Sequence, residues 1–313
     1  MPRDRSVFRA IGDDAAVIAR PDAPCLLVTT DTLREGIHFS RHFTSPFLLG
    51  KKSLAVNLSD IAAMGGDPRY YVVSLSAPPE TPVAWVGELY RGMRCRARDC
   101  GALLVGGDTT ASEGGVSITI TVIGTARRAR VVYRNGARSG DHLYVTGTVG
   151  DAALGLALLR QNRAPAAAQP LLRRHRDPAP RVAAGRMLAA SGAATSMIDI
   201  SDGLVADLRH ILKQSRVGAR LERDALPLSP QYRRLCALSG GDVYGHALYG
   251  GEDYELLFTA PPEKQAAVAR IGQALGLRIT RIGTITRDNG CLEILDRCGR
   301  PVACDACGGY VHF

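Results

Sequence analysis

The sequence predicts an α+β protein built from two α/β domains, and three observations carry that prediction. The first is length, since 313 residues suffice for about two domains of ordinary size, each with its own core. The second is pattern. Short apolar runs that read as strands alternate with segments of helical period. The third is the turn-rich stretch YRNGARSGD, which divides the chain near residue 135 into residues 1–135 and 136–313. A hydrophobic content of 46% and a charged content of 22% belong to a globular protein. No apolar run reaches the roughly 18 residues that a membrane span needs. The opening MPRDRSVFRAIGDD has no apolar signal core, so a cytoplasmic location is the default expectation.

The first half offers the strands CLLVTTD, YYVVSLSA, ALLVGGD and VSITITVIG. Between them FLLGKKSLAVNLSDIAAMG and VAWVGELYRGMRCRARDCG read as helices that end at glycine. The second half opens with the strand HLYVTG and the helix DAALGLALLRQ. A basic segment follows, with seven arginines between Arg160 and Arg186. It is rich in alanine and proline and has no interleaved aromatics, so it reads as a solvated surface loop rather than a nucleic-acid site. The net charge of +9 also suits small phosphorylated ligands. Next come the strand ATSMIDI, a helix carrying Leu204, Leu208, Ile211 and Leu212, and the strands YELLFTA, RITRIGTIT and CLEILD. A helix over residues 262–275 lies among these last strands.

Eight cysteines are present. Cys25, Cys95, Cys100 and Cys236 are scattered and read as buried or half-buried thiols. Cys291, Cys298, Cys304 and Cys307 crowd the C-terminal end, where a zinc or redox site would be the alternative to incidental thiols. The spacing is not the paired CxxC of a zinc ribbon, so incidental thiols are expected.

The chemistry is carried by aspartates. In MIDISDGLVADL, Ser201 or Asp202 explains itself as a helix N-cap. Asp199 stands inside the apolar run and does not, because a lone buried carboxylate is costly unless something such as a metal ion compensates it. The device recurs in IGDDAAV (Asp13, Asp14), LLVTTDTL (Asp31) and LLVGGDTT (Asp108). In AVNLSDIAAMGG, Asp60 lies on a helix whose apolar face is Leu54, Leu58 and Ile61. Any one of these reads as a turn or cap residue; five together are hard to dismiss. Oxygen donors without histidine or cysteine point to a hard cation such as magnesium, which usually completes its shell with substrate phosphates. The glycines beside Asp108 and in YGGEDYELLF would let backbone N–H groups approach those phosphates. The pattern suggests a nucleoside triphosphate bound through several magnesium ions. Neither a G-x-x-x-x-G-K-[ST] loop nor the protein-kinase signature set is present.

Taken in order, IGDDAAV, TTDTLREGIHF, KSLAVNLSDIAAMGGDPRYYVVSLSAP, VGGDTT, IDISDGLVADL, GGEDYELLFT and GGYVHF resemble the thiamine-monophosphate kinase family over nearly the whole chain. The wider superfamily includes aminoimidazole ribonucleotide synthetase, selenophosphate synthetase and the hydrogenase maturation dehydratase. GGEDYEL and the His-Phe end mark the kinase branch. The resemblance implies the aminoimidazole ribonucleotide synthetase-like fold, a homodimer formed through the N-terminal domains, and ATP bound in a cleft with several Mg2+ ions. It implies Asp14, Thr30, Asp31, Asp60, Asp108, Asp199 and Asp202 as metal ligands. Gly107, Asp108, Arg134 and Ser201 would hold ATP, and His38, Glu252 and Tyr310 would meet the acceptor. Outside its motif, His38 would read as an ordinary satisfied histidine. Two departures stand out: only ten residues precede Ile11-Gly12, with Ala10 for the usual first glycine, and Cys304 and Cys307 replace bulky residues near the acceptor. The first leads to the expectation that an N-terminal helix is missing or the chain start misassigned.

The implied reaction is the last step of thiamine diphosphate synthesis: ATP plus thiamine monophosphate gives ADP plus thiamine diphosphate. The nucleophile is a phosphate oxygen, largely ionised at neutral pH with a pKa of ~6, so no general base is needed. Asp108 and Asp202 would be the catalytic pair, holding the metals between phosphates. Two other classes are weighed: another ATP-dependent member of the superfamily and a non-catalytic ATP-binding regulator. A selenide enzyme would carry a reactive cysteine near the N-terminus, and none precedes Cys25. A dehydratase maturase would end in cysteine, whereas this chain ends VHF. Neither a nucleic-acid nor a membrane partner is expected.

Overall fold

The computed structural model describes residues 6–21, 23–161, 164–239 and 242–302. The N-terminal half forms a six-stranded sheet from β1 (Val7–Arg9), β2 (Ala16–Ile18), β3 (Cys25–Arg34), β4 (Asp67–Ala77), β5 (Leu103–Ala111) and β6 (Ser117–Ala126), in the order β1-β2-β3-β6-β4-β5. β3 and β6 pair antiparallel from Cys25↔Ala126 to Arg34↔Ser117. β4 lies between β6, antiparallel, and β5, parallel. Burial alternates strictly along β6, the sign of a strand with one face on a core. β5 is different: every residue of it is exposed, with Leu103, Leu104 and Val105 bare at the sheet edge.

α1 (Pro46–Ala63) starts with proline at its first position, and the Ser45 hydroxyl accepts the Leu48 N–H at 3.3 Å. Its sequence has no polar face of any width, and it is buried almost all round. α2 (Val83–Arg98) crosses it at two reciprocal glycines. A Cβ on Gly50 would stand 1.9 Å from the Leu89 carbonyl oxygen, and one on Gly92 would stand 1.9 Å from that of Phe47.

The C-terminal half is a seven-stranded sheet of β7 (His142–Thr146), β8 (Ser196–Asp199), β9 (Gly218–Glu222), β10 (Leu256–Ala260), β11 (Ile279–Thr286), β12 (Leu292–Leu295) and β13 (Pro301–Val302). Its order is β13-β12-β9-β11-β7-β10-β8, antiparallel except for β12 with β9. The helices are α3 (Asp151–Arg160), α4 (Gln169–Arg176), α5 (Val182–Ser191), α6 (Leu204–Ser215), α7 (Pro230–Ser239), α8 (Gly245–Tyr249) and α9 (Gln265–Leu275). One core cluster joins the halves: Ala62 and Ala63 of α1 pack with Leu188 of α5, Phe258 of β10 and Ile271 of α9. A second crossing runs the other way, for Tyr254, just before β10, packs among the side chains of the N-terminal core.

The strands and helices read from the sequence are present, but β1, β2, β9, β13, α7 and α8 are not among them, and four readings change. The basic segment is not a loop. It contains α4 and the start of α5, because Leu171, Leu172 and His175 form a buried stripe inside the charge run. Its arginines find partners, Arg181 on Glu255 and Arg186 on Asp67. Cys95 is exposed rather than buried. The strand read as YELLFTA begins at Leu256, and residues 262–275 open with a single 3-10 turn before α9. Cys304 and Cys307 lie outside the described residues.

Candidate active site

Three carboxylates from distant parts of the chain converge where the halves meet. Asp14, Asp60 and Asp199 each place an oxygen within 4.8 Å of the others. Asp199 stands at the end of β8, Asp60 in the last turn of α1, and Asp14 in the link before β2. Asp199 is 3% exposed and Asp14 7%. Burial and the charges of its neighbours, Asp14 first, push Asp199 up to about 8. Burial, then Asp31, Asp199 and Asp14, push Asp60 well above the ordinary carboxylate range. Groups that repel one another in a dry place are an unbalanced cluster; Arg134 supplies an opposing charge, and the hydroxyls of Thr29 and Ser59 offset it further.

Arg134 lies on the segment joining the two sheets, and it separates the paired aspartates by role. Its backbone N–H donates to Asp13 Oδ1 at 2.7 Å, and its Nη2 donates to Asp14 Oδ1 at 2.8 Å. Asp13 also takes the Arg9 guanidinium. Asp13 is thus an anchor, while Asp14 turns inward and its Oδ2 remains buried without a hydrogen-bond partner.

On β3, side chains alternate between faces. The Thr29 hydroxyl donates to Asp60. Thr30 points the other way: its hydroxyl donates to the Ile120 carbonyl at 3.2 Å and accepts from Thr121. Asp31 returns to the Thr29 face, with Oδ2 buried and without a hydrogen-bond partner. Burial raises its pKa, and the nearby charge of Asp202 adds to that.

Neither Ser201 nor Asp202 caps α6. Gly203 holds that position at φ +127°, and the acceptor is Asp207, one turn inside the helix. Its Oδ2 takes the N–H groups of Ser201, Asp202 and Gly203 at 3.0, 3.1 and 3.1 Å. Sequence reasoning missed Asp207, although a signal was present. It stands on the apolar stripe with Leu204, Leu208 and Ile211, where a carboxylate needs a reason.

Asp108 and Gly107 lie on the exposed edge strand β5, where Asp108 Oδ1 accepts the Thr109 N–H at 2.9 Å. The convergence of Asp14, Asp60 and Asp199 does not include Asp108. His38 sits in the turn after β3, its Nδ1 accepting the Arg34 N–H at 3.0 Å. Glu252 follows two glycines with φ +68°, and its N–H donates to the Ser201 carbonyl at 2.8 Å. Tyr310 lies outside the described residues. A cavity of about 1070 Å³ opens between α1, α2 and α4, lined by Lys51, Arg96, Arg173, Arg176 and Asp177 among others. None of its lining residues belongs to the aspartate cluster.

The donor set fits a hard divalent cation. It is all oxygen and excess negative charge, and two buried carboxylate oxygens, Asp14 Oδ2 and Asp31 Oδ2, have no protein partner.

Two sheets meeting over buried carboxylates are an architecture with relatives. The N-terminal domain of AIR synthase related protein matches residues 12–126, and its C-terminal domain matches residues 138–293. That sets the class. Thiamine-monophosphate kinase from Salmonella typhimurium is 42% identical, over 98% of this chain and 92% of its own. The enzyme of that name from Bacillus subtilis is 36% identical, over 98% of this chain and 94% of its own. The solved structure of AaThiL complexed with AMPPCP and TMP superposes with a TM-score of 0.86 at 34% identity, covering 97% of this chain and 92% of that one. This chain belongs to the thiamine-monophosphate kinase family.

Proposed function

We propose that the protein transfers the γ-phosphoryl group of ATP directly to thiamine monophosphate, giving ADP and thiamine diphosphate, with Mg2+ bound by the aspartate cluster. The observation that carries this reading is the convergence of Asp14, Asp60 and Asp199 within 4.8 Å, with orphan carboxylate oxygens beside them. The relatives named thiamine-monophosphate kinase and the neighbour bound to AMPPCP, an ATP analogue, and TMP support the choice of substrates.

The residues divide by role. Asp14, Asp31, Asp60, Asp199 and Asp202 would hold several magnesium ions, with Asp108 as a further ligand; the Thr30 hydroxyl would join them only by leaving Ile120 and Thr121. When bound, the ions supply charge neutralisation between the phosphates. Arg134 presents a fixed guanidinium beside the cluster and, with Ser201, Gly107 and Asp108, holds ATP. His38, Glu252 and Tyr310 meet the acceptor. The acceptor phosphate is already ionised, so the protein contributes in-line positioning and charge balance rather than proton transfer.

The same reading divides the chain into an ATP-binding and dimerising domain, 1–135, and a domain completing the cleft, 136–313, and places the enzyme in the cytoplasm with its substrates. Two copies would pair through the N-terminal sheets. The bare edge strand β5 supports this, because an exposed apolar edge is a ready template for another chain. Incubation with ATP, Mg2+ and thiamine monophosphate, followed by chromatography, tests the reaction. Failure to form thiamine diphosphate would overturn it.

A further inference from the structure

Two buried nitrogens meet at one carboxylate. Lys52 Nζ lies 2.6 Å from Glu252 Oε1, and His175 Nδ1 lies 3.0 Å from Glu252 Oε2. The Lys52 and His175 side chains are each 1% exposed, whereas that of Glu252 is 22% exposed. Only the carboxylate therefore reaches the solvent side of this group. Apart from Glu252, neither nitrogen has a hydrogen-bond partner among the described residues. The three residues come from α1, α4 and the loop before β10, so nothing local brings them together.

A structural staple between the halves would not need this chemistry. A buried lysine costs several kcal/mol in desolvation, and an apolar residue of similar volume often serves stability as well or better. Glu252 is also held in the left-handed region at φ +68°, which costs a non-glycine residue of order 1–3 kcal/mol. Its N–H is tied to the Ser201 carbonyl, next to the residues assigned to ATP. Such costs, gathered on one mostly buried carboxylate that still reaches solvent, are characteristic of a group presented to a ligand. The ring of Phe43, from the loop that carries His38, packs against His175 at 6.5 Å between centroids.

We propose that Lys52 and His175 are positioning residues for the phosphoryl acceptor: they hold the Glu252 carboxylate ionised and in a single orientation toward an electropositive part of thiamine monophosphate. This rests on the reading of Glu252 as an acceptor-binding residue. Lys52 supplies the countercharge. His175 is neutral, because burial, and then the charge of Lys52, lower its pKa; it donates Nδ1–H to the second oxygen. Neither touches substrate.

The test is a set of steady-state measurements on the whole protein, with both Michaelis constants read for each variant. Glu252→Gln reports on the underlying reading and raises the KM for thiamine monophosphate. Lys52→Met and His175→Leu raise the same constant about tenfold, the loss of an interaction of ~1.4 kcal/mol, and leave the KM for ATP within about twofold. His175→Asn, which keeps a donor in the Nδ1 position, restores most of the loss. The pair Lys52→Met with Glu252→Gln removes both charges and folds even if Lys52→Met alone does not. Its acceptor KM equals that of Glu252→Gln, because Lys52 acts only through Glu252. If Glu252→Gln raises the acceptor KM while Lys52→Met and His175→Leu do not, the positioning role is wrong and the reading of Glu252 stands. Additive effects in the double variant, or equal changes in both constants, overturn it likewise. If Glu252→Gln leaves the acceptor KM unchanged, the reading of Glu252 fails and the proposal falls with it.

Discussion

Arg134 donates to Asp14 across 120 residues of chain, Nη2 to Oδ1 at 2.8 Å, while its own backbone N–H holds Asp13. One residue on the link between the halves thereby sets the position of a carboxylate that begins the first. Arg134→Met should remove the nearest positive charge from the aspartate cluster and the anchor of Asp14. We expect kcat/KM for ATP to fall at least about a hundredfold, roughly 2.7 kcal/mol of transition-state stabilisation. Arg134→Lys should recover only part, since an ammonium cannot reproduce the planar guanidinium contact. Initial-rate measurements over a range of ATP check both.

The aspartates should trade stability for activity. Without metal, Asp199 is held at about 8 and so takes up a proton at neutral pH that the unfolded chain would release, which costs stability. Asp199→Asn removes that cost, so in chelator the variant should melt higher than the natural protein. Magnesium should raise the melting temperature of the natural protein and do little for the variant. Turnover should vanish in Asp199→Asn, and equally in Asp108→Asn and Asp202→Asn. Calorimetry with and without Mg2+ decides the first point, and the kinase assay the second.

Asp207 closes three backbone N–H groups of the loop that carries Ser201 and Asp202. Asp207→Ala would leave those donors short of partners at the helix start. The expected loss is about 2–3 kcal/mol by urea denaturation, with a raised KM for ATP in the protein that remains folded.

The Lys52–Glu252 pair gives a pH signature. Burial alone would raise the Glu252 pKa, but the charge of Lys52 and the hydrogen bonds from His175 and Lys52 outweigh it and hold the group at about 2, against an ordinary 4.5. A lowered pKa in the folded state means stability that is present above 4.5 and lost as the pH falls toward 2. The stability difference between the natural protein and the Lys52→Met, Glu252→Gln pair should be flat from neutral pH down to about that ordinary value. Below it the difference should shift against the natural protein. Denaturant titrations at three or four pH values measure it.

Phosphoryl transfer should be direct. On the proposed reading the aspartates are taken up by metal, which makes them poor nucleophiles, and the acceptor brings its own anion. Double-reciprocal plots should intersect. No label from γ-labelled ATP should remain on the protein when the acceptor is absent.

Much of this was legible in the residues. β6 announces itself by alternation, and β7, β8 and β10 by continuous apolar runs; the short strands β1, β2, β9 and β13 carry too few residues to show either pattern. The aspartates that end apolar runs stand out one at a time. What the sequence does not display is their convergence: residues 14, 60 and 199 become neighbours only when α1 is sandwiched between the halves. α1 also hides its role, since Leu54, Leu58 and Ile61 mark one buried face while Lys52, Ser53, Asn57 and Ser59, which a sequence would give to solvent, are buried as well. Lys52 looks like one more surface charge beside Lys51, yet it is 1% exposed. Composition misled over α4, where seven arginines set among alanines and prolines masked two leucines and a histidine facing inward. In β5, an apolar run marks a strand but does not say whether its partner is a core or another chain. Thr29 and Thr30 differ by one position, and only the registered strand decides which of them faces Asp60.

The ring of Tyr254 gives the molecule a thermodynamic indivisibility. It is carried by the C-terminal half, yet it is 4% exposed within the core of the N-terminal half, and its backbone N–H is bound to the Ile200 carbonyl. Glu252, Asp253 and Glu255 beside it are committed in turn to α1 with α4, to the start of α3, and to Arg181. If the C-terminal half melts, the N-terminal core loses an aromatic, and if the N-terminal half melts, that buried ring is left bare. The two halves should therefore unfold in one cooperative transition; the N-terminal half produced alone would expose an empty apolar socket, and the C-terminal half alone a bare plug.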